Sequence, residues 1–204
     1  MAVVRTIEQL EEIYATAPTL ASTAKETDHL TPAYIRLIEA SPFMALATVG
    51  PEGVDCSPRG DLKHVVRVAD ARTLILPDRR GNNRIDSLRN IIRDPRVALL
   101  FLIPGSGTTF RVNGHATISA EPDLLASLEV EGKRPRTAII ISIKACYFQC
   151  ARAVLRAGLW TPASWPDPAC LPTPGQILEP LTAREIDGQS YDAEWPGRAA
   201  ASMW

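Results

Sequence analysis

The chain has little of what most often announces a function. Aromatic residues make up 6% of its 204 positions, there are three histidines, and the four cysteines form no Cys-x-x-Cys pair. Cys56, Cys146, Cys150 and Cys170 are widely spaced among apolar neighbours and the histidines are scattered, so no metal cage is expected. Cys146 and Cys150 would share a face only in a helix, whereas their segment reads as a strand running into a helix. Buried free thiols in a reducing cytoplasm are the expectation. No run reaches the roughly 20 apolar residues that a membrane span needs. The opening "MAVVRTIEQLEEIYATAP" carries acids where a signal peptide has its apolar core. Neither sign of charge dominates: 22 basic and 23 acidic side chains leave a net charge of -1. That gives no general pull toward nucleic acid or an anionic membrane. A cytoplasmic protein with neither as partner is expected.

Common catalytic signatures are missing too. No Gly-x-Gly-x-x-Gly follows a strand, which argues against a Rossmann dinucleotide site, and there is no Gly-rich phosphate loop ending in Lys-Ser or Lys-Thr. No Gly-x-Ser-x-Gly elbow occurs, and Ser57, placed before a proline, has no evident histidine base. His64 and His115 read equally well as bases or as surface residues. Asp61, Asp78 and Asp86 flank basic residues and are expected to orient arginines or hold turns. The pattern suits a cofactor that carries its own chemistry.

What is present is mostly sheet. The first 40 residues read as helical, with "TIEQLEEIYA" behind a Thr6 cap and "TPAYIRLIEAS" behind Thr31, with Pro32 at the first helical position. From residue 41 to 158, apolar strands alternate with short turns: "PFMALATVGPEGVDCSP", "HVVRVADARTLILP", "RVALLFLIPGSGTTFRVNGHATIS" and "RTAIIISIKACYFQC". The connections are too short for parallel crossovers, so an antiparallel sheet closed into a small barrel is expected, with about six strands and peripheral helices. "PDLLASLE" makes a short helix within it. From 159 to 204 the texture changes, and "LWTPASWPDPACLPTPGQILEP" holds six prolines. An extended arm laid on the barrel or on a partner chain is expected there, sheltering Trp160, Trp165, Trp195 and Trp204. The last ten residues read as a disordered tail.

The stretch "PDRRGNNRIDSLRNIIRDP" carries the main functional signal. Asn82 or Asn83 is placed to cap a helix and Gly81 to relax the turn before it. Ile85, Leu88, Ile91 and Ile92 would form the buried face, and Asp94-Pro95 would stop the helix. The cations need another explanation. Arg84 reads as part of the first helical turn, at the positive end of the helix, with Arg79 and Arg80 close by. A bound anion, held by helix N–H groups and guanidinium forks, would reverse that cost. "CSPRGD" adds Arg59, which could converge with Arg84. "TTFRVNGH" adds Arg111 on a polar strand face, beside a Gly114 that either admits a flat ligand or marks a bulge.

Taken in order, "FMALATVGPEGVDCSPRGD", "TLILPDRRGNNRIDSLRNIIRDPRVALLFLIPG" and "FRVNGHATIS" resemble the FMN-binding split barrel of the pyridoxamine 5'-phosphate oxidase superfamily. The nearer likeness is to a bacterial branch that carries "SPRGD", "PDRxGNNRxDSxxNI" and "RVNG". The resemblance implies a six-stranded antiparallel split β-barrel, mainly β with peripheral helices, in a homodimer with two FMN sites at the subunit interface. It implies that Arg59, Asn83 and Arg84 lie near the flavin phosphate, that Ser57 and Pro77 approach the ring or ribityl chain, and that Arg111 contacts the flavin or braces its site. The chain departs from that pattern in three ways, one being the Pro-rich arm after 160, expected to cover the site in a way particular to this branch. It ends "YDAEWPGRAAASMW", without the Arg-containing substrate motif of vitamin B6 oxidation, and it has Gln149 where the branch often has histidine. The function expected is FMN-dependent oxidoreduction, with hydride transfer through flavin N5 and a small-molecule substrate or electron donor. The alternative is a binding protein for flavin or another small anion.

Overall fold

A computed structural model describes residues 3–203. Three helices come first, α1 (Ile7–Ile13), α2 (Leu20–Thr23) and α3 (Pro32–Glu39). They lead into β1 (Phe43–Gly50), β2 (Gly53–Gly60), β3 (Arg67–Asp70) and β4 (Thr73–Pro77). Helix α4 (Asp86–Arg93) separates these from β5 (Arg96–Leu102) and β6 (Thr109–Ser119). Helix α5 (Pro122–Ser127) precedes β7 (Ala138–Gln149), and α6 (Arg152–Arg156), α7 (Pro174–Leu181) and α8 (Gly188–Ser202) complete the order. The expected caps are in place: Thr6 Oγ1 accepts from Gln9 N–H and Thr31 Oγ1 from Tyr34 N–H.

All strand pairs are antiparallel, in the order β2-β1-β5-β6-β7-β4-β3. There are seven strands rather than six, because the short β3 pairs with β4 at one edge. The sheet does not close by hydrogen bonds, yet it wraps a single core. Met44 and Leu46 of β1 share one apolar cluster with Leu74 and Leu76 of β4, although these strands lie far apart in the sheet order. Phe101, Phe110, Val112, Ile139 and Ile141 fill its middle and α3 adds Ile38. This is a split barrel with helices at its margins.

Gly114 marks a bulge: the β6–β7 register shifts between Asn113 and Gly114. A Cβ there would lie 2.5 Å from the Ser142 carbonyl oxygen and 3.1 Å from a methyl of Ile141. Gly114→Val is therefore expected to lower stability by about 1–3 kcal/mol through overpacking, read as a fall in the thermal midpoint.

The segment after 159 is more helical than its prolines suggest. Pro174 occupies the first turn of α7 and Pro180 lies near its end, and the first turn is where a missing N–H costs least. Thr173 and Gln176 form a reciprocal capping box for α7, and Asp187 caps α8 through Ser190 N–H. The two helices cross where Gly175 meets Gly188, and a Cβ on Gly175 would lie 2.0 Å from the Gly188 carbonyl oxygen. The expected disordered tail is instead the second half of α8 as far as Ser202. Trp165 and Trp195 are exposed rather than sheltered, Trp160 donates from its indole N–H to the Ser106 carbonyl, and Trp204 lies outside the described residues.

The thiols also differ from expectation. All four are free, but only Cys146 is buried; Cys56, Cys150 and Cys170 are exposed.

Candidate functional site

The site begins with the two-residue alternation of β2. Asp55, Ser57 and Arg59 are half-buried on one face, while Val54, Cys56 and Pro58 are exposed on the other. The register with β1 sets Ser57 opposite Leu46 and Arg59 opposite Met44, both core residues, so this row points inward. Helix α4 lies against it and buries Ser87. A one-way chain of hydrogen bonds results. Arg59 Nε donates to Ser57 Oγ (3.3 Å), Ser57 Oγ lies 3.2 Å from Ser87 Oγ, and Ser87 Oγ donates to Asp55 Oδ2 (2.9 Å). Because the Ser87 proton is committed to Asp55, Ser57 is the donor in the middle link. The other edge of the guanidinium is held by Asp78, with Nη1 2.8 Å from Oδ1.

The loop between β4 and α4 supplies the opposite wall. Asn83 and Ile85 adopt positive φ (61° and 53°), a left-handed backbone that is rare for non-glycine residues and rarest for a β-branched one. Asn82 Oδ1 accepts from Arg84 N–H at 3.1 Å and stiffens the turn. Arg79 is anchored by Asp61 (Nε to Oδ2, 2.8 Å) and by the Leu128 carbonyl (3.0 Å). A third piece comes from the chain entering β7. The register of β4 with β7 places Ala138 opposite Pro77, and Asp78 N–H continues it by donating to the Thr137 carbonyl (3.0 Å). Arg136 is thereby brought beside the loop, where its Nη1 reaches Asn83 Oδ1 at 3.4 Å.

Together these elements enclose a cavity of about 270 Å³ lined by Arg59, Arg79, Arg80, Arg134 and Arg136, with Asp78 its one carboxylate. Gly81, Asn82, Asn83, Ile85 and Leu88 complete the lining. Asp61 and Glu129, outside the lining, pair with Arg79 and Arg134, so five guanidinium groups face three carboxylates and the cavity keeps an excess of positive charge that suits an anion. No lining side chain is of a type that titrates near neutral pH, so the pocket is built to bind and orient rather than to move protons.

Residues 30–150 match the family model described as pyridoxamine 5'-phosphate oxidase, a match that spans more than half of the chain. The chain belongs to that family. No curated protein matches it. Among solved structures, HupZ from Group A Streptococcus is 19% identical, covering 57% of this chain and 91% of that one with a TM-score of 0.47. A Clostridium acetobutylicum protein related to general stress protein 26 is 16% identical, covering 58% and 86% with a TM-score of 0.46. An FMN-binding protein from Syntrophomonas wolfei is 17% identical, covering 55% and 80% with a TM-score of 0.44. Every residue of the cavity falls inside the pyridoxamine 5'-phosphate oxidase match, whereas α7 and α8 lie beyond it.

The residues singled out in the sequence divide among several places. Arg59 and Asn83 line the cavity, and Ser57 stands behind Arg59 in the hydrogen-bonded chain. Pro77 ends β4 and borders two adjoining hollows that share Arg79. Arg84 does not converge with Arg59. It precedes α4 rather than lying in its first turn, is ion-paired to Asp86 (2.7 Å), and borders a separate hollow with Glu52, Arg89 and Arg93. The helix cap also differs: Ile85 is the N-cap, without a side-chain bond, and Ile92 is 78% exposed. Of the expected face, Ile91 is buried and Leu88 packs partly buried against the core; Ser87 and Asn90 take the remaining buried places, because β1 and β2 offer them polar partners, Thr48 and Asp55.

Arg111 stands apart. It pairs across the sheet with Leu100 and Tyr147, and through Leu100 and Ala45 it falls in the same row as Pro58. That row has the parity opposite to Arg59, so Arg111 points out of the barrel, bonded to the Tyr147 hydroxyl (2.9 Å). His64 is bonded to the Glu39 carbonyl, His115 is exposed on β6, and Gln149 ends β7 opposite Thr109. Arg134 and Arg136 escape a sequence reading, because their place depends on strands that pair across some 60 residues of chain. The alternating "KRPR" before an apolar strand is the one local sign. Among the described residues no group of histidine, cysteine, aspartate and glutamate is arranged to hold a metal, and no helix is long and apolar enough to cross a membrane.

Proposed function

We propose that the cavity takes the phosphate of FMN and that the protein is an FMN-dependent oxidoreductase acting on a small molecule. The observation that carries this reading is the cluster of five arginines in a cavity of about 270 Å³, three of them matched by Asp78, Asp61 and Glu129 and two left without a carboxylate partner among the described residues. That volume lies just below the range of about 300–1,000 Å³ typical of sites that enclose a whole drug-sized ligand. The cavity therefore suits the charged end of FMN, with the ring outside it. Arg59 is pre-aimed by Ser57 and Asp78, and the Asn82–Asn83 turn lines the cavity beside it. Bound flavin supplies hydride transfer at N5, chemistry that the lining side chains lack. The residues of this chain bind, orient and neutralise.

The reading includes a homodimer. Phe43, Ala45, Ala47, Val54, Pro58, Ala98, Leu100 and Leu102 leave the outer sheet face apolar and partly exposed, with Val54 at 84%. An apolar face of this kind suits a protein contact. Arg111 projects from that face, so within one chain it serves no ligand in the Arg59 cavity; a second copy would bring it to the ring. Solution scattering is expected to give twice the 22.2 kDa chain mass. Thiol alkylation gives a second check. Cys150 is exposed and its thiol is held below the ordinary range by the Arg152 backbone N–H, so it should label fast. Cys146 is buried, which pushes its thiol up, and should stay unlabelled. Cys56, exposed on the outer face of one chain, should label only on dilution to monomers; rapid labelling of Cys56 in the dimer would rule out this interface.

Turnover is tested by adding a nicotinamide donor anaerobically to the FMN-loaded protein and then admitting oxygen. Repeated bleaching and recovery of the flavin spectrum supports an oxidoreductase. Flavin that stays bound but is reduced by no donor supports a carrier instead.

A further inference from the structure

Three of the five cavity arginines are paired with carboxylates, and the pairings are unequal. Arg59 is matched by Asp78 and Arg79 by Asp61, each at 2.8 Å and each with side chains at most 20% exposed. Arg134 is matched by Glu129 at 2.6 Å. Arg80 has no carboxylate partner among the described residues, and Arg136 meets only the neutral amide of Asn83. The charge that the protein leaves unmatched in this cavity therefore sits on Arg80 and Arg136.

Resting on the FMN reading above, we infer that Arg80 and Arg136 form the grip of the site, and that their two unmatched charges select a dianionic phosphate monoester. Arg80 comes from the loop after β4. Arg136 comes from the chain entering β7, held beside that loop by the Pro77–Ala138 pairing and the Asp78–Thr137 hydrogen bond. The two cations thus reach the cavity from separate segments joined by sheet pairing. A phosphate monoester is close to doubly charged at neutral pH and offers three acceptor oxygens, which matches two guanidinium forks. A carboxylate or a phosphodiester would leave one charge unmet. Arg59 and Arg79, already neutralised, shape the cavity and donate hydrogen bonds without adding net charge.

The test compares FMN with riboflavin, which has the same ring and no phosphate, by fluorescence titration of the full chain. The wild-type protein is expected to prefer FMN, and Arg80→Gln/Arg136→Gln to lose about 30-fold or more in FMN affinity with riboflavin affinity kept within about twofold. Arg80→Lys/Arg136→Lys should restore much of the preference, and circular dichroism should show all variants folded. Unchanged FMN affinity in the glutamine pair, or an equal loss for FMN and riboflavin, overturns the inference. Wild-type protein that binds both flavins equally also overturns it while leaving the flavin reading in place. If the wild type takes up neither flavin, the flavin reading fails and phenyl phosphate becomes the probe, by calorimetry. Binding that disappears in the glutamine pair upholds the dianion grip, and no binding overturns it.

Discussion

Arg59→Leu is expected to weaken FMN binding by about 100-fold, and adding Asp78→Asn is expected to recover about tenfold of that loss. Two effects act together in the single variant. It removes a charged hydrogen-bond donor from the anion, worth about 1.5–3 kcal/mol in a sheltered site. It also strips Asp78 of its partner and leaves a negative charge on the cavity wall, where the 2.8 Å ion pair had cancelled it. A 100-fold change corresponds to about 2.7 kcal/mol at 25 °C, within reach of the two effects combined. The second substitution removes the repulsion and leaves the missing donor unreplaced. Fluorescence titration of both variants separates the terms. A double variant that binds no better than Arg59→Leu would show that Asp78 does not face the anion. Ser87→Ala gives a gentler version, because it unfastens Ser57 and Arg59 from Asp55 without changing the charge of the cavity.

Gly50→Val is expected to be the most destabilising single substitution considered for this fold. A Cβ at residue 50 would lie 2.2 Å from Asn90 Oδ1 and 2.9 Å from Asn90 Cγ. Asn90 has no room to yield, being buried on α4 with its amide donating to the Thr48 hydroxyl at 3.1 Å, and Thr48 is itself wholly buried. Expelling Asn90 strands that hydroxyl and pushes α4 off β1 and β2. The two costs, overpacking at about 1–3 kcal/mol and an orphaned buried polar group at about 1–3 kcal/mol, put the loss at about 2–6 kcal/mol. For a chain of this length that is a fall of very roughly 4–24 °C in the thermal midpoint. Ser87 rides on the same helix, so FMN affinity should fall in the variant that still folds, Gly50→Ala. Pairing Gly50→Ala with Asn90→Ala relieves the clash, and its midpoint should then lie above that of Gly50→Ala alone. A midpoint for Gly50→Val within about 2 °C of wild type would contradict the packing described for α4.

The features legible in the sequence are those that depend on near neighbours. Strand alternation in "FMALATVG" and "RVALLFLI", the Thr31–Pro32 helix start and the Asp94-Pro95 stop all act within a few residues, and each appears as read. The basic loop is legible as an anion signal because charge crowding is local as well. Its geometry is not. Arg84 reads as the natural partner of Arg59, yet the left-handed backbone at Asn83 and Ile85 carries Arg84 to the far side of α4's start. Nothing in a β-branched residue such as Ile85 announces a positive φ. Arg136 is hidden because its position follows from the β4–β7 register, and Asp78 is recognisable as a brace for an arginine without revealing which one. The α7–α8 pair departs from its reading for a different reason. Its prolines read as breakers, but Pro174 stands where a helix lacks the N–H bond anyway, and a capping box outweighs the remainder.

An arginine-lined cavity that holds a flavin phosphate should make this a yellow protein. The most direct measurement is the visible absorption spectrum of gently purified full-length protein, before and after incubation with FMN, together with the mass of whatever denaturation releases. The expected result is a flavin spectrum, FMN as the released ligand, and close to one FMN per chain. A colourless protein that takes up no FMN would contradict it.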